Sequence, residues 1–318
     1  MAKSTDKGQA TAFDLSMETS HLPGRDVLDR DTFRALNIRS DWHGGLRLVT
    51  HIAIILGTGV LVHLSLGTLG LLIPVMVLHG FAIVSLFAPM HECVHRTAFR
   101  SRWLNDTVGW LTGVASFYNS DYYRRYHHWH HRYTQVPGQD PELTTPKPRS
   151  VADYVLRISG LLFWRDKIQD MAVVASGRVD HFPFLNGQTR SRVVWSMRIQ
   201  VAIYVIVIAG AWLTRSPAPF IYWLLPAILG QPLLRLILIA EHTGCSEDTN
   251  GLTNTRTTLT SWPVRLMMWN MPYHAEHHAY PAVPFYALPK LHYELRNELK
   301  HKQNGYPQFH LNIIKKLL

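Results

Sequence analysis

Apolar residues along the chain gather into four long blocks, two in each half of the sequence. They run roughly over residues 48–66, 70–90, 197–215 and 219–241, and each is close to the ~20 residues that a helix needs to cross a bilayer. The turns that join each pair are short and almost free of charge. Buried helices of a soluble protein are the alternative, but such closely spaced pairs favour membrane spans. The pattern predicts an all-α membrane protein with four transmembrane helices.

Lysine and arginine lie almost entirely outside these blocks and their turns. The first turn, at 66–70, carries none, and the second carries only Arg215. Because basic residues collect on the cytosolic side of a membrane, we predict cytosolic termini and a cytosolic stretch 96–196. The expected location is the bacterial inner membrane, or the endoplasmic reticulum if the source is eukaryotic. The expected parts are a cytosolic N-terminal arm (1–44), a membrane domain (45–300) and a basic C-terminal tail (301–318).

The overall composition agrees with this interpretation. Only 17% of residues are charged, and 32 basic against 22 acidic residues give a net charge of +10. A basic excess suits nucleic acid or an anionic membrane surface, but the apolar blocks favour the membrane, and we expect no nucleic-acid partner. The two cysteines are too few for a disulfide framework or a cysteine-based metal site.

Two further apolar stretches are short or interrupted by charge. Residues 103–118 contain Asp106, and residues 151–164 contain Asp153 and Arg157. We interpret both as interfacial helices on the cytosolic face, beside a cytosolic helical cap.

Three histidine clusters lie where this topology brings them to one side of the membrane: HECVH at 91–95, HHWHH at 127–131 and HAEHH at 274–278. On a helix, positions i and i+4 share a face and i+3 lies beside them, so each cluster can direct several imidazoles at one point. His242, at the end of the last block, is a further candidate. The candidate metal ligands are His91, His95, His127, His130, His131, His242, His274, His277 and His278. We expect His128 to support a metal ligand or to be structural, and His51, His63 and His79 to make helix–helix hydrogen bonds.

The first cluster also matches H-E-x-x-H, the signature of zinc metalloproteases. An intramembrane zinc protease is therefore an alternative, and so is a non-enzymatic membrane protein that binds metal or haem. A zinc site needs only three protein ligands, whereas nine histidines suit two metals. Imidazole alone does not select the metal. Oxidation of lipid chains needs a redox metal and oxygen, which favours two irons.

The three clusters in this order resemble the histidine boxes of the integral-membrane fatty acid desaturase and hydroxylase superfamily, H-x(3,4)-H followed twice by H-x(2,3)-H-H. The stretch NMPYHAEHHAYPAVPFYALPKLHYEL is similar to the region around that family's third box, and the resemblance covers about residues 48–295. It implies that 45–300 is a catalytic domain with a non-haem di-iron centre and O2 as co-substrate. The implied reaction is desaturation or hydroxylation of an aliphatic, lipid-like substrate, with a fatty acyl chain as the first expectation. Carotenoid hydroxylases and ketolases share the boxes and remain an alternative.

Some members of that superfamily carry a fused cytochrome b5 domain with an H-P-G-G motif, and HLPGRD at 21–26 does not match it. The resemblance therefore implies an external electron donor: ferredoxin, rubredoxin or cytochrome b5, with a reductase.

Metal-bound imidazole usually donates its other N–H to a carboxylate or carbonyl group. The carboxylate candidates for this role are Glu92, Asp140, Glu142, Glu241 and Glu276. Asn270 is a candidate cap of the helix that bears the third cluster, or a water-mediated metal contact. Arg235, inside the last block, is a candidate for binding a substrate carboxylate or head group, and a side chain that reaches the interface is the alternative.

Overall fold

A computed structural model describes residues 27–144 and 148–318 of the chain. The protein is about 69% helical and almost without strands. The helices are α1 (Arg30–Leu36), α2 (Asp41–Ser65), α3 (Leu69–Val84), α4 (Phe87–Val94), α5 (Arg102–Ala115), α6 (Ser120–Tyr133), α7 (Val151–Ile158), α8 (Leu161–Ser176), α9 (Gly187–Leu213), α10 (Leu225–His242), α11 (Gly251–Asn254), α12 (Trp262–Met267), α13 (His274–Ala279), α14 (Leu288–Leu295) and α15 (Tyr306–Leu317). A 3-10 turn covers Pro141–Thr144, a π-helical turn covers Phe220–Leu224, and the strands are β1 (Arg256–Leu259) and β2 (His301–Asn304).

Among the residues that the structure describes, four helices are long and apolar enough to cross a membrane: Asp41–Ser65, Leu69–Val94, Gly187–Leu213 and Phe220–His242. They coincide with the four predicted blocks, so the predicted all-α membrane fold is confirmed. The third begins well before the predicted start near residue 197. Its first turns carry arginines and the cap residue Asn186, whose side chain accepts a hydrogen bond from the Thr189 backbone N–H. Apolarity alone therefore placed that boundary too late.

The second and fourth spans make the closest helix–helix contact. A Cβ atom on Gly80 would lie 1.8 Å from the Pro226 carbonyl oxygen, and one on Gly230 would lie 2.2 Å from the Gly80 backbone. Only glycine permits two membrane helices to approach this closely. The three histidines within the spans make the predicted helix–helix hydrogen bonds. His51 donates to the Ala82 carbonyl at 2.9 Å, His79 donates to the Tyr222 carbonyl at 3.0 Å, and His63 bonds the Tyr222 hydroxyl at 2.8 Å.

The helix of the second span is interrupted near its end, and the segment after the interruption carries the first histidine cluster. Helix α3 ends at Val84 and α4 begins at Phe87. Pro89 lies in the first turn of α4, where its missing N–H costs no hydrogen bond. The chain then leaves the helix through Arg96, which has a left-handed φ of 59°.

The predicted interfacial segments are short helices outside the four spans. Helix α5 is 14 residues long and exposes Trp103 (67%) and Leu111. The second segment is divided by Gly160 (φ 81°) into α7 and α8. None of the three is as long as the ~20 residues that a helix needs to span the bilayer.

The C-terminal segment completes the domain. Strand β2 pairs in parallel with β1, with His301 opposite Arg256 and Asn304 opposite Leu259. Helix α15 packs on α10, and His310 bonds the buried Tyr154 hydroxyl at 2.6 Å. The stretch predicted as a basic tail, 301–318, thus forms β2 and α15. Of the predicted arm, residues 1–26 lie outside the described residues, 30–36 form α1, and 41–44 begin α2.

Candidate metal centre

All nine histidines selected from the sequence lie together at one end of the helix bundle. His91 is in α4, His95 is the first residue after that helix, and His242 is the last residue of α10. Helix α6 carries the second cluster and α13 carries the third. Seven of the nine lie among the buried residues, and His95 and His131 are half-buried.

Their ring nitrogens form two groups. The five-histidine group has all its members within 4.8 Å of one another and consists of His91, His95, His127, His131 and His277. In the second group, His130, His242 and His278 lie within the same distance of one another. His274 Nε2 lies 3.2 Å from Nε2 of both His242 and His278 and completes this four-histidine group.

Each H-x-x-H-H cluster contributes to both groups. In the second cluster, His127 and His131 belong to the five-histidine group and His130 to the four-histidine group. In the third cluster the assignment is reversed: His277 joins the five-histidine group, while His274 and His278 join the other. Positions i and i+4 share one helix face, so in each cluster that pair serves one group and the remaining histidine serves the other.

Several of these ring nitrogens are buried and make no hydrogen bond among the described residues. They include both nitrogens of His91 and of His277, and Nε2 of His95 and of His130. A buried polar atom without a partner costs free energy, and so many in one place need an explanation. Converging imidazoles are a donor set for divalent transition metals, so the residues present fit two metal ions, one in each group.

Burial keeps most of these rings neutral. It lowers the pKa of His277 to about 3 and holds the pKa values of His127 and His131 well below the usual range, with neighbouring histidines adding to the effect. A neutral imidazole keeps the lone pair that a metal needs.

Carboxylates lie beside the four-histidine group. Burial lowers the pKa of His130, but Glu142 and Asp140 raise it more, so its net direction is upward. The Glu142 carboxylate lies 3.7 Å from His130 Nε2, and the Glu241 carboxylate lies 3.5 Å from His274 Nε2. At the five-histidine group, the Glu92 carboxylate lies 3.8 Å from His91 Nδ1, and Glu142 lies within 4.8 Å of a His127 ring nitrogen as well as of His130.

Asp140 has the arrangement expected of a carboxylate that orients a metal ligand. His130 Nδ1 donates to its Oδ1 at 2.8 Å. The backbone N–H groups of Gln135 and Glu142 donate to the same carboxylate at 2.8 and 2.9 Å. Burial raises the pKa of Asp140, but the hydrogen bond and charge of His130 together with the two backbone N–H groups lower it more, and the net shift is downward. The carboxylate is therefore ionised and fixed, and it holds Nε2 of His130 toward the four-histidine group.

Three further contacts to the candidate ligands were not found from the sequence. The Tyr123 hydroxyl lies 3.3 Å from His127 Nδ1, Thr134 Oγ1 lies 3.3 Å from His278 Nδ1, and His242 Nδ1 donates to the Asn254 carbonyl at 3.3 Å. Tyr123 lies one helical turn before His127, so its position was a usable signal. Nothing in the sequence marks Asn254, because only the tertiary fold brings it to His242.

Two predicted neighbours have other contacts. Glu92 accepts a hydrogen bond from Thr97 Oγ1 at 2.9 Å. Glu276 accepts from Thr257 Oγ1 and is bonded to His292 Nδ1, so these partners, rather than a clustered histidine, hold its two carboxylate oxygens.

The prediction that Asn270 caps the third-cluster helix is wrong. Helix α13 begins at His274 with Tyr273 at the cap position and no side-chain cap. Asn270 instead adopts a left-handed φ of 60° and donates to the Phe285 carbonyl at 3.0 Å. Asparagine tolerates this conformation through its short polar side chain, so it forms a turn here.

Arg235 lies seven residues before His242 on the fourth span and is half-buried. It donates to the Tyr118 hydroxyl at 3.0 Å, and its guanidinium lies 4.6 Å from the centre of the Phe163 ring. Lys167 Nζ lies 4.5 Å from the Tyr118 ring. Two cations thus lie beside one pair of aromatic rings.

A cavity of about 120 Å³ opens beside His95. Asp106 lies 2.8 Å from one of its arginines and 3.6 Å from another, and Asp121 lies 2.7 Å from a third. With four arginines against two aspartates, the surroundings of this cavity are positively charged. The arginines are Arg96, Arg124, Arg125 and Arg192.

Within the described residues, four membrane-length helices and a group of nine buried or half-buried histidines define a helical membrane protein with a candidate dinuclear metal centre. The family model for fatty acid desaturases matches residues 65–310, more than half of the chain. The chain therefore belongs to the fatty acid desaturase family.

Curated relatives of the chain include two proteins named sn-1 oleoyl-lipid 12-desaturase. The one from Picosynechococcus sp. is 28% identical over 69% of this chain and 63% of its own length, and the one from Synechocystis sp. is 24% identical over 68% and 66%. A fatty acid conjugase from Calendula officinalis is 26% identical over 62% of this chain and 60% of its own length. The chain thus matches less than two thirds of the length of each of these relatives.

Proposed function

We propose that the chain desaturates or hydroxylates an aliphatic, lipid-like substrate, with a fatty acyl chain as the first candidate. The reaction would use two non-haem iron ions, O2 and electrons from an external donor. The observation that carries the proposal is the division of nine clustered histidines, seven buried and two half-buried, into two groups of ring nitrogens. The family and the names of the relatives, which refer to oleoyl lipid and to fatty acid, support the substrate class and favour desaturation.

In this proposal the five-histidine group holds one iron and the four-histidine group holds the other, with Glu142 and Glu241 beside the second. When bound, the two irons would supply the oxidising power, drawn from O2, that an unactivated C–H bond requires. The protein's own contribution is to hold the imidazoles neutral and fixed. Asp140 orients His130, and the buried surroundings keep bulk water from the centre.

The electron balance requires the external donor. Desaturation removes two hydrogen atoms, and therefore two electrons, from the substrate. Reduction of O2 to two water molecules consumes four electrons. The other two must come from a carrier such as ferredoxin, rubredoxin or cytochrome b5 with its reductase. We place the approach of the carrier at the arginine-lined cavity beside His95, because a positive surface attracts an acidic carrier.

Arg235 is our candidate for contact with the substrate's polar end. Its support is the half-buried guanidinium two helical turns from His242, with Lys167 on the same aromatic pair. An anionic or carbonyl-bearing end of a lipid would find hydrogen-bond donors there while its chain lies among apolar side chains. Arg235→Gln should then raise KM and alter head-group selectivity, with Arg178→Gln, an exposed arginine elsewhere, as the control. Unchanged KM and selectivity would remove Arg235 from the proposal.

The proposed arrangement in the membrane is multi-pass with both termini in the cytosol, in the bacterial inner membrane or the endoplasmic reticulum. It rests on the excess of basic residues outside the hairpins. The catalytic domain of the proposal is residues 45–300. Labelling of single cysteines introduced at 67 and 216, accessible only from outside, would support this orientation, and labelling from the cytosol would contradict it.

The direct test of function is lipid mass spectrometry of cells that express the wild type or His130→Ala and are fed long-chain fatty acids under oxygen. Loss of two hydrogens that requires the wild type identifies a desaturase, and gain of one oxygen identifies a hydroxylase. Identical lipid profiles, in cells that also express a competent electron donor, would contradict the proposal.

A further inference from the structure

Helix α13 supplies candidate ligands to both metal groups, yet it is only six residues long. Helices this short do not persist without tertiary contacts, and this one has no side-chain cap at its N-terminus. His277 belongs to the five-histidine group, while His274 and His278 belong to the four-histidine group. A small rotation of α13 would therefore misplace ligands in both groups at once.

Hydrogen bonds to the carboxylate of Glu276 oppose such a rotation. Its side chain is fully buried. Thr257 in β1 donates to Oε2, and His292 in α14 is bonded through Nδ1 to Oε1. Two separate elements thus hold the two oxygens of one carboxylate. A buried carboxylate needs such partners, because an unpaired one carries a large desolvation cost.

His292 also touches the start of the same helix. Its ring lies 5.2 Å from the ring of Tyr273, the residue that precedes α13, and the Tyr273 hydroxyl accepts from Arg265 at 2.8 Å. Around this polar contact the interface is apolar, since Leu288, Leu291 and Leu295 of α14 are all fully buried. Apolar packing holds α14 against α13 without fixing an angle, whereas hydrogen bonds to a carboxylate are directional.

We propose that His292, with Thr257, is a positioning residue that acts through Glu276 to fix the rotation of α13 and thereby the ligands of both metal groups. The inference rests on the proposed metal centre and adds a residue that lies outside the histidine clusters. His292 would touch neither metal nor substrate. Its role is to supply one N–H at the position of Nδ1.

The test uses purified full-length protein in detergent, stripped of metal and titrated with Fe²⁺ without oxygen. We measure bound iron per chain and the rise in Tm that iron produces, since a ligand that binds only the folded state raises its stability. His292→Leu removes the donor at similar size. His292→Asn returns an N–H close to the Nδ1 position. Leu295→Ala, on the same helix, weakens packing without touching Glu276.

His292→Leu should weaken iron binding about 10–100-fold, as loss of a residue that supports a metal ligand does, and should shrink the iron-dependent rise in Tm. His292→Asn should restore most of both. Leu295→Ala should lower Tm with and without iron alike and keep the full rise. Thr257→Val should reproduce the His292→Leu result from the other side of Glu276, and Thr257→Ser should reverse it.

A purely structural role predicts otherwise: His292→Leu would behave like Leu295→Ala, with two irons retained and Tm lowered uniformly, and that result would overturn the inference. It would leave the proposed function intact, because the wild type would still bind two irons. A wild type that binds no iron would overturn both.

Discussion

The second and third histidine clusters have the same spacing, H-x-x-H-H, but their helices are held in place by different kinds of contact. The second lies on a 14-residue helix whose first turn is capped by Asn119, which accepts from the Tyr122 backbone N–H at 3.0 Å. Its ligand His130 is held directly, by Asp140. The third lies on a six-residue helix without a side-chain cap, and its carboxylate, Glu276, faces away from the candidate metals.

The comparison shows that spacing and orientation have different origins. Spacing comes from helix geometry, which brings i and i+4 to one face in both clusters. Orientation comes from what the helix is tied to. Where the helix is long, a single carboxylate on one ring suffices. Where it is short, the whole helix must be held by partners from other elements.

The largest expected effect is that of removing a clustered histidine. His130→Ala should abolish the activity and leave the four-histidine group unable to hold metal, since this ring is the second cluster's only contribution to it. His128→Ala, two residues before His130 and outside both groups, should keep two metals per chain. Metal analysis and product assay check both variants. Equal loss in the two would mean that the cluster as a whole, rather than its spacing, matters.

Asp140→Ala should weaken metal binding by the four-histidine group about 10–100-fold, since His130 loses its orienting partner. Asp140→Asn, which keeps one oxygen acceptor, should be intermediate. Iron titration of the stripped protein measures both. If the five-histidine group loses as much iron affinity as the four-histidine group, Asp140 does not act on His130 alone. The contrast with the third cluster would then fail.

Asn119→Ala should cost roughly 1–3 kcal/mol of stability, because it removes a helix cap and hydrogen bonds to Ser196 and Gln200. Metal affinity should change little. Asn186→Ala, which removes an exposed cap on α9, is the matched control and should cost about 1 kcal/mol. Denaturant or thermal unfolding in detergent gives the comparison. Loss of metal at unchanged stability would show that the cap orients ligands after all.

The smallest expected effect belongs to Thr134, the one residue in the described chain shown to bond both clusters. Its hydroxyl donates to the His130 carbonyl at 2.7 Å and lies 3.3 Å from His278 Nδ1. Thr134→Val should weaken metal binding by about 1 kcal/mol, the contribution of one hydrogen bond. Thr134→Ser should restore the affinity. An effect as large as that of Asp140→Ala would make Thr134, rather than Asp140, the main support.

Much of the fold follows from the sequence because its signals are local. Four apolar blocks, two uncharged hairpins and helical histidine spacing are each properties of a few neighbouring residues. The predicted start of the third span is too late because the helix begins before the apolar block. Its first turns contain Arg190 and Arg192, which hydropathy alone excludes from a span. The prediction for Asn270 rests on the preference of asparagine for helix N-caps, whereas in the structure Asn270 forms a left-handed turn.

The candidate site was only partly predictable, because some of its contacts join segments that are distant in the sequence. The nine histidines carry a repeated pattern, and Asp140 follows its histidine closely in sequence. The partners of Glu276 come from β1 and α14, on either side of α13 in sequence, and Asn254 reaches His242 from a separate short helix. Only the packed structure shows such contacts. Nor does spacing alone show that each H-x-x-H-H cluster divides between two groups.

The central claim is that nine histidines form two metal sites with distinct ligand sets. Its most direct test is the number of iron ions per chain in purified wild type, His95→Ala and His242→Ala. The account predicts two in the wild type and one in each variant, because each substitution removes a ligand from a different group. One zinc in the wild type, retained in His242→Ala, would contradict it and favour a single metalloprotease-type site.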